Sequence, residues 1–267
     1  MKISIVLSTQ PASFSALPFQ GSLDENMSKI RKLGFDGVEL AVRDTKLLNI
    51  PELQKMLKNN QLLVPAIGTG QLFGEERLSL THPDVKIRKQ TKKRLRQHIQ
   101  LAREFSAVVI IGLVRGNRIP ENNMEKVENW LFEGLKECAL VDKDIRLVIE
   151  PINRYETNLL NTVHETLEFL DRLKMDNVGL LLDTFHMNIE EPSIVGSILD
   201  ARDKLFHFHI ADSNRWYPGA GHIDFQEIVD TLNKIEYQGF ISGEILPFPD
   251  PYISALKMSE FLKNYIH

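Results

Sequence analysis

Eight short runs rich in β-branched and other apolar residues alternate along this chain with longer stretches of helical period, and few folds admit that alternation. The runs occupy residues 3–7, 36–40, 63–67, 108–113, 146–150, 178–183, 205–210 and 240–244. Repeated strand–helix units make parallel strands joined by crossovers, and eight of them close into a barrel. No Ser- or Gly-rich linker divides the chain, and its period is too irregular for a solenoid. Residues 1–267 are therefore expected to form one α/β domain, a single (β/α)8 TIM barrel. Capping boxes are expected at Ser22/Glu25, Thr162/Glu165 and Asp224/Glu227, and Pro83 and Pro192 suit a first helical turn.

Composition removes several classes of function. Thirty-two Lys and Arg stand against 36 Asp and Glu, a net charge of −4, which gives none of the bulk positive field that recruits nucleic acid. The only cysteine, Cys138, lies in a helical apolar pattern with Trp130, Leu131 and Leu135, and reads as a small buried residue. The apolar stretch at the N-terminus is too short for a signal peptide, and no run approaches the length that spans a membrane. A cytoplasmic enzyme acting on a small molecule is expected, with neither nucleic acid nor membrane as partner; self-association into a homo-oligomer is compatible with this reading.

Two stretches exceed what a barrel needs. Residues 68–82 follow the third strand and contain three glycines; long βα loops lie on the active face, so this one is expected to form a lid. The basic helix that follows, at 86–103, spreads its charges around its circumference and is expected simply to be solvated.

Four late runs end on metal-competent side chains: Leu147-Val-Ile-Glu150, Val178-Gly-Leu-Leu-Leu-Asp183, Leu205-Phe-His-Phe-His209 and Phe240-Ile-Ser-Gly-Glu244. The C-terminal ends of parallel barrel strands converge on one mouth, where carboxylates and imidazole suit a divalent ion of hard to borderline character. A lone buried histidine is more often a satisfied core residue. Three converging acidic groups, however, repel one another without a cation between them. Strand period two puts His207 and His209 on one face, so spacing alone does not choose between them. A few residues beyond these strand ends stand Glu156, His186 and Arg215, placed to hold the polar ends of a substrate.

Taken together, these residues resemble the metal-dependent ketose 3-epimerases of the D-tagatose and D-psicose 3-epimerase type, within the xylose-isomerase-like barrels. The resemblance covers essentially the whole chain. It is carried by Val148-Ile-Glu150-Pro151 through Tyr155-Glu156, Asp183-Thr-Phe-His186, His207-Phe-His209 through Asn214-Arg215, and Pro218-Gly219-x-Gly221. Ala41-Val-Arg43-Asp44, Ala66-Ile-Gly-Thr-Gly-Gln71, Leu78-Ser-Leu-Thr-His82-Pro83, Ile111-Gly-Leu-Val-Arg115-Gly116 and the run from His186 to Glu191 look most like the 5-keto-L-gluconate epimerase branch. The resemblance implies Glu150, Asp183, His209 and Glu244 as ligands of one divalent ion, Mn²⁺ or else Co²⁺ or Mg²⁺. It makes Glu150 and Glu244 the proton-transfer pair and Glu156, His186 and Arg215 substrate contacts. His222 stands where other ketose epimerases vary.

The chemistry is self-consistent. Inverting the carbon beside a ketone means taking its proton from one face and returning one to the other through an enediolate, with a Lewis acid holding the developing charge. Arg43 and Arg115 follow early strands on the same face, where a guanidinium clamps a terminal carboxylate or phosphate; the alternative is an ion pair such as Arg43 with Asp44. The detailed resemblance favours a keto-sugar acid as substrate. Four other readings compete: a multi-zinc endonuclease, for which the early strand ends offer mainly Glu39, Gly68 and Arg115; a dehydratase of a keto-inositol or related polyol; a ketose/aldose isomerase; and a noncatalytic sugar-binding protein. An equal-mass epimer, a product lighter by water, or no turnover separates epimerase, dehydratase and binder.

Overall fold

A computed structural model describes residues 1–119 and 124–265. Eight parallel strands close in sequence order: β1 (Lys2–Ser8), β2 (Gly37–Ala41), β3 (Ala66–Gly68), β4 (Val108–Ile111), β5 (Leu147–Ile149), β6 (Val178–Asp183), β7 (Leu205–Ile210) and β8 (Phe240–Gly243), with β8 pairing back to β1. The helices between them are α1 (Leu23–Lys32), α2 (Ile50–Asn60), α3 (Gly70–Gly74), α4 (Val85–Arg103), α5 (Met124–Ala139), α6 (Val163–Leu173), α7 (Thr184–Glu190), α8 (Ile194–Ala201), α9 (Phe225–Lys234) and α10 (Pro251–Lys263). All eight sequence-predicted strands are present. The third starts late because Pro65 offers no N–H to the ladder, leaving Leu63 only an isolated bridge to Gly37.

Strand alternation divides the apolar residues into two sets. Val109, Ile111, Leu147, Ile149, Leu180 and Leu182 join the large core beneath the helices, while Ala66, Ile110, Val148 and Leu181 cluster separately on the opposite strand face, inside the barrel. By the same parity Glu39, between Val38 and Leu40, and His207 and His209, either side of Phe208, point inward.

Local signals held unevenly. Thr162 and Glu165 form a complete capping box on α6, and Asp224 accepts the Glu227 N–H at the start of α9. Ser22 starts α1 but makes no side-chain cap, so the box expected there does not form. Pro83 and Pro192 precede the N-caps Asp84 and Ser193 rather than entering the first turn. The stretch 68–82 is a packed wall rather than a free lid: α3 turns within it, and Leu72, Leu78 and Leu80 are buried in the core.

On α4, Leu95, His98, Ile99 and Ala102 face the core; Arg94 makes a bidentate pair with Glu76 at 2.7 and 3.0 Å, and Lys92 meets Glu137 at 2.7 Å. Cys138 is buried in the core, where desolvation pushes its thiol up to about 12. Among the described residues no helix is long and apolar enough to cross a membrane.

Candidate active site at the C-terminal mouth of the barrel

Glu150 follows β5, Asp183 ends β6, His209 lies in β7 and Glu244 follows β8. One donor atom from each falls within 4.8 Å of all the others. Neighbouring strands impose this convergence, since Asp183 is registered with His209, and His209 with Ser242, two residues before Glu244. Asp183 divides its carboxylate between two tasks: Oδ1 caps α7 by accepting the Phe185 N–H at 2.8 Å, and Oδ2 turns into the cluster. Gly112 leaves room beside Glu150, whose Oε2 would stand 2.9 Å from a Cβ there.

Three buried atoms in this cluster have no hydrogen-bond partner: Glu150 Oε1, Asp183 Oδ2 and His209 Nδ1. His209 Nδ1 stands 3.8 Å from Glu150 Oε1 and 3.9 Å from Asp183 Oδ2, too far for hydrogen bonds. Buried polar atoms are nearly always paired, so three facing one another define a missing positive group. Donors about 2.0–2.2 Å from a common ion lie up to about 4 Å apart, and three carboxylates with one imidazole suit a divalent cation. The residues present fit such an ion.

The electrostatics agree. Burial is the main force raising the carboxyls of Glu150, Asp183 and Glu244; repulsion from Glu244 and Asp183 adds to it at Glu150, and the opposing Arg215 does not cancel it at Glu244. Burial alone would lower His209, but the Glu39 carboxylate overrides it, with help from Glu244 and Glu150, and holds the ring at about 10.

Glu39 is not among the site residues expected from the sequence. It reaches across the barrel interior from β2 and accepts His207 Nε2 at 2.8 Å and His209 Nε2 at 2.9 Å. Burial opposes its ionisation, yet the two histidines lower its carboxyl well below the usual range. An ionised Glu39 requires N–H on both Nε2 atoms, so the proton that His209 gives up on becoming neutral is the one on Nδ1, and a cation in the cluster would take that proton's place. His207 bonds on the Glu39 side only, which separates the roles of two histidines that strand period could not distinguish. A carboxylate flanked by apolar residues in Gly37-Val-Glu39-Leu40 was the available signal.

Glu156, His186 and Arg215 lie together around the cluster. Arg215 donates to Glu156 Oε1 at 2.9 Å and Glu244 Oε2 at 2.7 Å, and its guanidinium lies between the rings of Phe14 and Phe185. Its backbone is left-handed at φ 61°, a conformation costly for a side-chain-bearing residue and maintained by the surrounding loop. Asp212 ties that loop by accepting the N–H groups of Ser213, Gly219 and Ile223; a Cβ on Gly221 would stand 2.2 Å from Asp212 Oδ1, which accounts for the Gly219-x-Gly221 spacing. His186, buried, has Nε2 at 3.8 Å from Glu150 Oε1.

The remaining candidates do not join the ring. Arg115 is fully buried and donates to the carbonyls of Leu159, Gly112 and Leu160 at 2.9, 3.0 and 3.2 Å, so its guanidinium is consumed by the backbone behind the site. Arg43 is half-buried near Glu75, whose carboxyl it helps hold down, and does not line the cavity. His222 is exposed and bonds Ser213 Oγ at 2.9 Å.

A cavity opens over the cluster, walled by Phe14, Gly68 to Gln71, Glu75, Leu113 and Ile152, with Arg215 the only Arg or Lys among its described lining residues. A family model described as the xylose isomerase-like TIM barrel matches residues 27–265. The chain is 33% identical over 227 residues to the D-psicose 3-epimerase of Enterocloster bolteae, covering 80% of this chain and 73% of that protein. It is 31% identical over 235 residues to the L-ribulose 3-epimerase of Mesorhizobium japonicum, covering 86% and 78%. The chain belongs to the xylose isomerase-like TIM barrel family, among the ketose 3-epimerases. It is accordingly an isomerase, a carbohydrate epimerase. A solved D-allulose 3-epimerase from Methylomonas sp. superposes with a TM-score of 0.82 at 26% identity, covering all of this chain and 98% of that one.

Protons and a cation compete for this epimerase's cluster. Glu150, Asp183 and Glu244 have folded values above their ordinary 4.5, 3.8 and 4.5, so their contribution to the cation-free fold is full below those pH values and is lost as pH rises through the elevated ones. His209 acts in the same direction, its contribution fading as pH approaches about 10. A bound cation offsets that loss, so Mn²⁺ should raise the melting temperature more at about pH 8 than at about pH 6. An equal shift at both, or none, would contradict competition at these groups.

Proposed function

We propose that this chain is a divalent-cation-dependent epimerase that inverts the carbon next to the ketone of a keto-sugar by proton exchange between two carboxylates. Glu150, Asp183, His209 and Glu244 hold the ion, with Mn²⁺ the expected occupant, and residues 1–267 act as one catalytic domain. The observation that carries this reading is the set of three buried, partnerless atoms facing one another, two of them on the cavity-lining residues Glu150 and His209 and the third on Asp183.

When bound, the cation supplies the Lewis acid that polarises the ketone and balances the charge of the enediolate. Glu150 and Glu244 emerge from nonadjacent strands, and Glu244 is close enough to raise the Glu150 carboxyl, an arrangement suited to serving opposite faces of one substrate carbon. One takes the proton and the other returns one, and the roles exchange when the reaction reverses. Arg215 is braced by Glu156 and Glu244 and is therefore oriented before substrate arrives, while His186 stands beside Glu150 within reach of the same substrate oxygens. Glu156 is placed to accept a hydroxyl hydrogen.

A keto-sugar acid of the 5-keto-L-gluconate kind is the finer reading, and it needs a cation for the acidic terminus. Arg215 is already balanced by two carboxylates and Arg115 is bonded to three carbonyls, so that task falls to Arg43, which is outside the cavity lining but near the lining residue Glu75. Arg43→Leu should reduce turnover of a ketohexonate far more than that of the matching neutral ketohexose, by roughly the 1.5–3 kcal/mol of a charged hydrogen bond. Arg115→Leu should instead depress both substrates equally and cost roughly 3 kcal/mol of stability in urea unfolding, because the buried carbonyls of Leu159 and Leu160 lose their side-chain donor while that of Gly112 keeps only the backbone N–H of residue 115. Equal losses for Arg43→Leu on the two sugars would remove the acidic-terminus reading.

Glu150→Gln and Glu244→Gln each keep an oxygen donor but lose the proton acceptor, so each should lower epimerisation by roughly 10² to 10⁴ with an equal-mass product throughout. In D₂O the two epimeric substrates should report opposite partners: the variant lacking the base for a given epimer neither exchanges nor inverts it, whereas the variant lacking the acid still exchanges its α-proton. Near-normal epimerisation in either variant with the cation bound, or a product lighter by water from the unmodified enzyme, would refute the mechanism.

A further inference from the structure

One side-chain amide joins two of the groups proposed to meet the substrate. Asn153, 1% exposed and just past β5, accepts the backbone N–H of Tyr155 on Oδ1 at 3.0 Å and donates from Nδ2 to Glu156 Oε1 at 3.1 Å. These contacts fix the direction of the amide, since a backbone N–H requires the oxygen and the Glu156 carboxylate, paired with Arg215, requires the nitrogen. The same Nδ2 stands 2.8 Å from His186 Nδ1, and the backbone N–H of Asn153 approaches that ring nitrogen at 3.5 Å. Two donors aimed at Nδ1 leave no room for a proton on it. The ring hydrogen therefore sits on Nε2, the nitrogen that faces Glu150 across 3.8 Å at the cavity.

We propose that Asn153 is a positioning residue that locks His186 in its Nε2–H form, so that His186 meets the substrate as a neutral hydrogen-bond donor and never as a proton acceptor. This rests on the reading of His186 as a substrate contact. Its consequence is chemical: a histidine with a free Nε2 lone pair beside Glu150 would be a third group able to take the substrate's proton, and the lock removes it from that competition. The donor then serves the oxygen on which charge develops. Because the same amide nitrogen holds Glu156, which holds Arg215, which holds Glu244, Asn153 also registers the β5 side of the site against the β8 side.

The test uses long-range ¹H–¹⁵N NMR of the ¹⁵N-histidine-labelled, Mg²⁺-loaded enzyme, with His186 assigned by the loss of its signals in His186→Gln. The expected pattern is a neutral ring protonated on Nε2. Asn153→Asp keeps the shape but replaces the donor with an acceptor, so His186 should gain a proton on Nδ1 and kcat for a ketose should fall roughly 10²-fold or more, the typical effect of losing one preorganised donor, with KM changing less. An Nδ1–H ring in the unmodified enzyme overturns the proposal, as does an Asn153→Asp variant whose His186 pattern or kcat is unchanged. If that variant does not fold, the spectrum of the unmodified enzyme decides alone. The tautomer is read without turnover, so an Nε2–H ring in a protein that epimerises no ketose counts against the proposed function, whereas an active epimerase with Nδ1–H His186 counts against this lock alone.

Discussion

Gathering three carboxylates at the mouth of one barrel is the constraint from which the rest of the site follows. Glu150, Asp183 and Glu244 are each taken out of water and set beside one another, which separately and together disfavours their charged forms. Arg215 supplies one positive charge but divides it between Glu156 and Glu244, leaving Glu150 Oε1 and Asp183 Oδ2 with no partner. The fold thus holds a geometry that only a further cation completes, and strain of this kind is sustained by a scaffold whose strands cannot move apart independently.

Much of that rigidity comes from below the site. Parallel barrels usually fill their interior with apolar layers, and Ala66, Ile110, Val148 and Leu181 do so here. Glu39 interrupts the filling with a charge that reaches across the barrel to two histidines on β7. A buried carboxylate bonded to two ring N–H groups fixes the tautomer and tilt of His209 from behind, as Asn153 fixes His186 from the side. Both imidazoles that line the cavity, His186 and His209, thereby have their orientation set by neighbouring side chains.

The barrel was legible because period-two runs and helical stretches alternate without interruption, and errors were confined to strand and helix ends, where Pro65, Pro83 and Pro192 act through single backbone groups. The four strand-end donors were legible for the same reason, since parallel strands bring their C-terminal ends together whatever the loops do. Long-range pairing was not legible. Nothing local marks Glu39 as the partner of residues about 170 positions away, and the strand-end placement of Arg115 concealed that its guanidinium turns back to the carbonyls of Leu159 and Leu160. The glycines of 68–82 suggested mobility, whereas Leu72, Leu78 and Leu80 anchor that stretch in the core.

The central claim is that one divalent cation belongs among Glu150, Asp183, His209 and Glu244. Crystals of the Mn²⁺-loaded enzyme measured at the manganese absorption edge test it directly. The account requires a single anomalous peak within bonding distance of all four side chains, adjoining Nδ1 of His209 and not Nε2. A peak between Glu39, His207 and His209, or full epimerase activity in protein shown by elemental analysis to hold no metal, would contradict it.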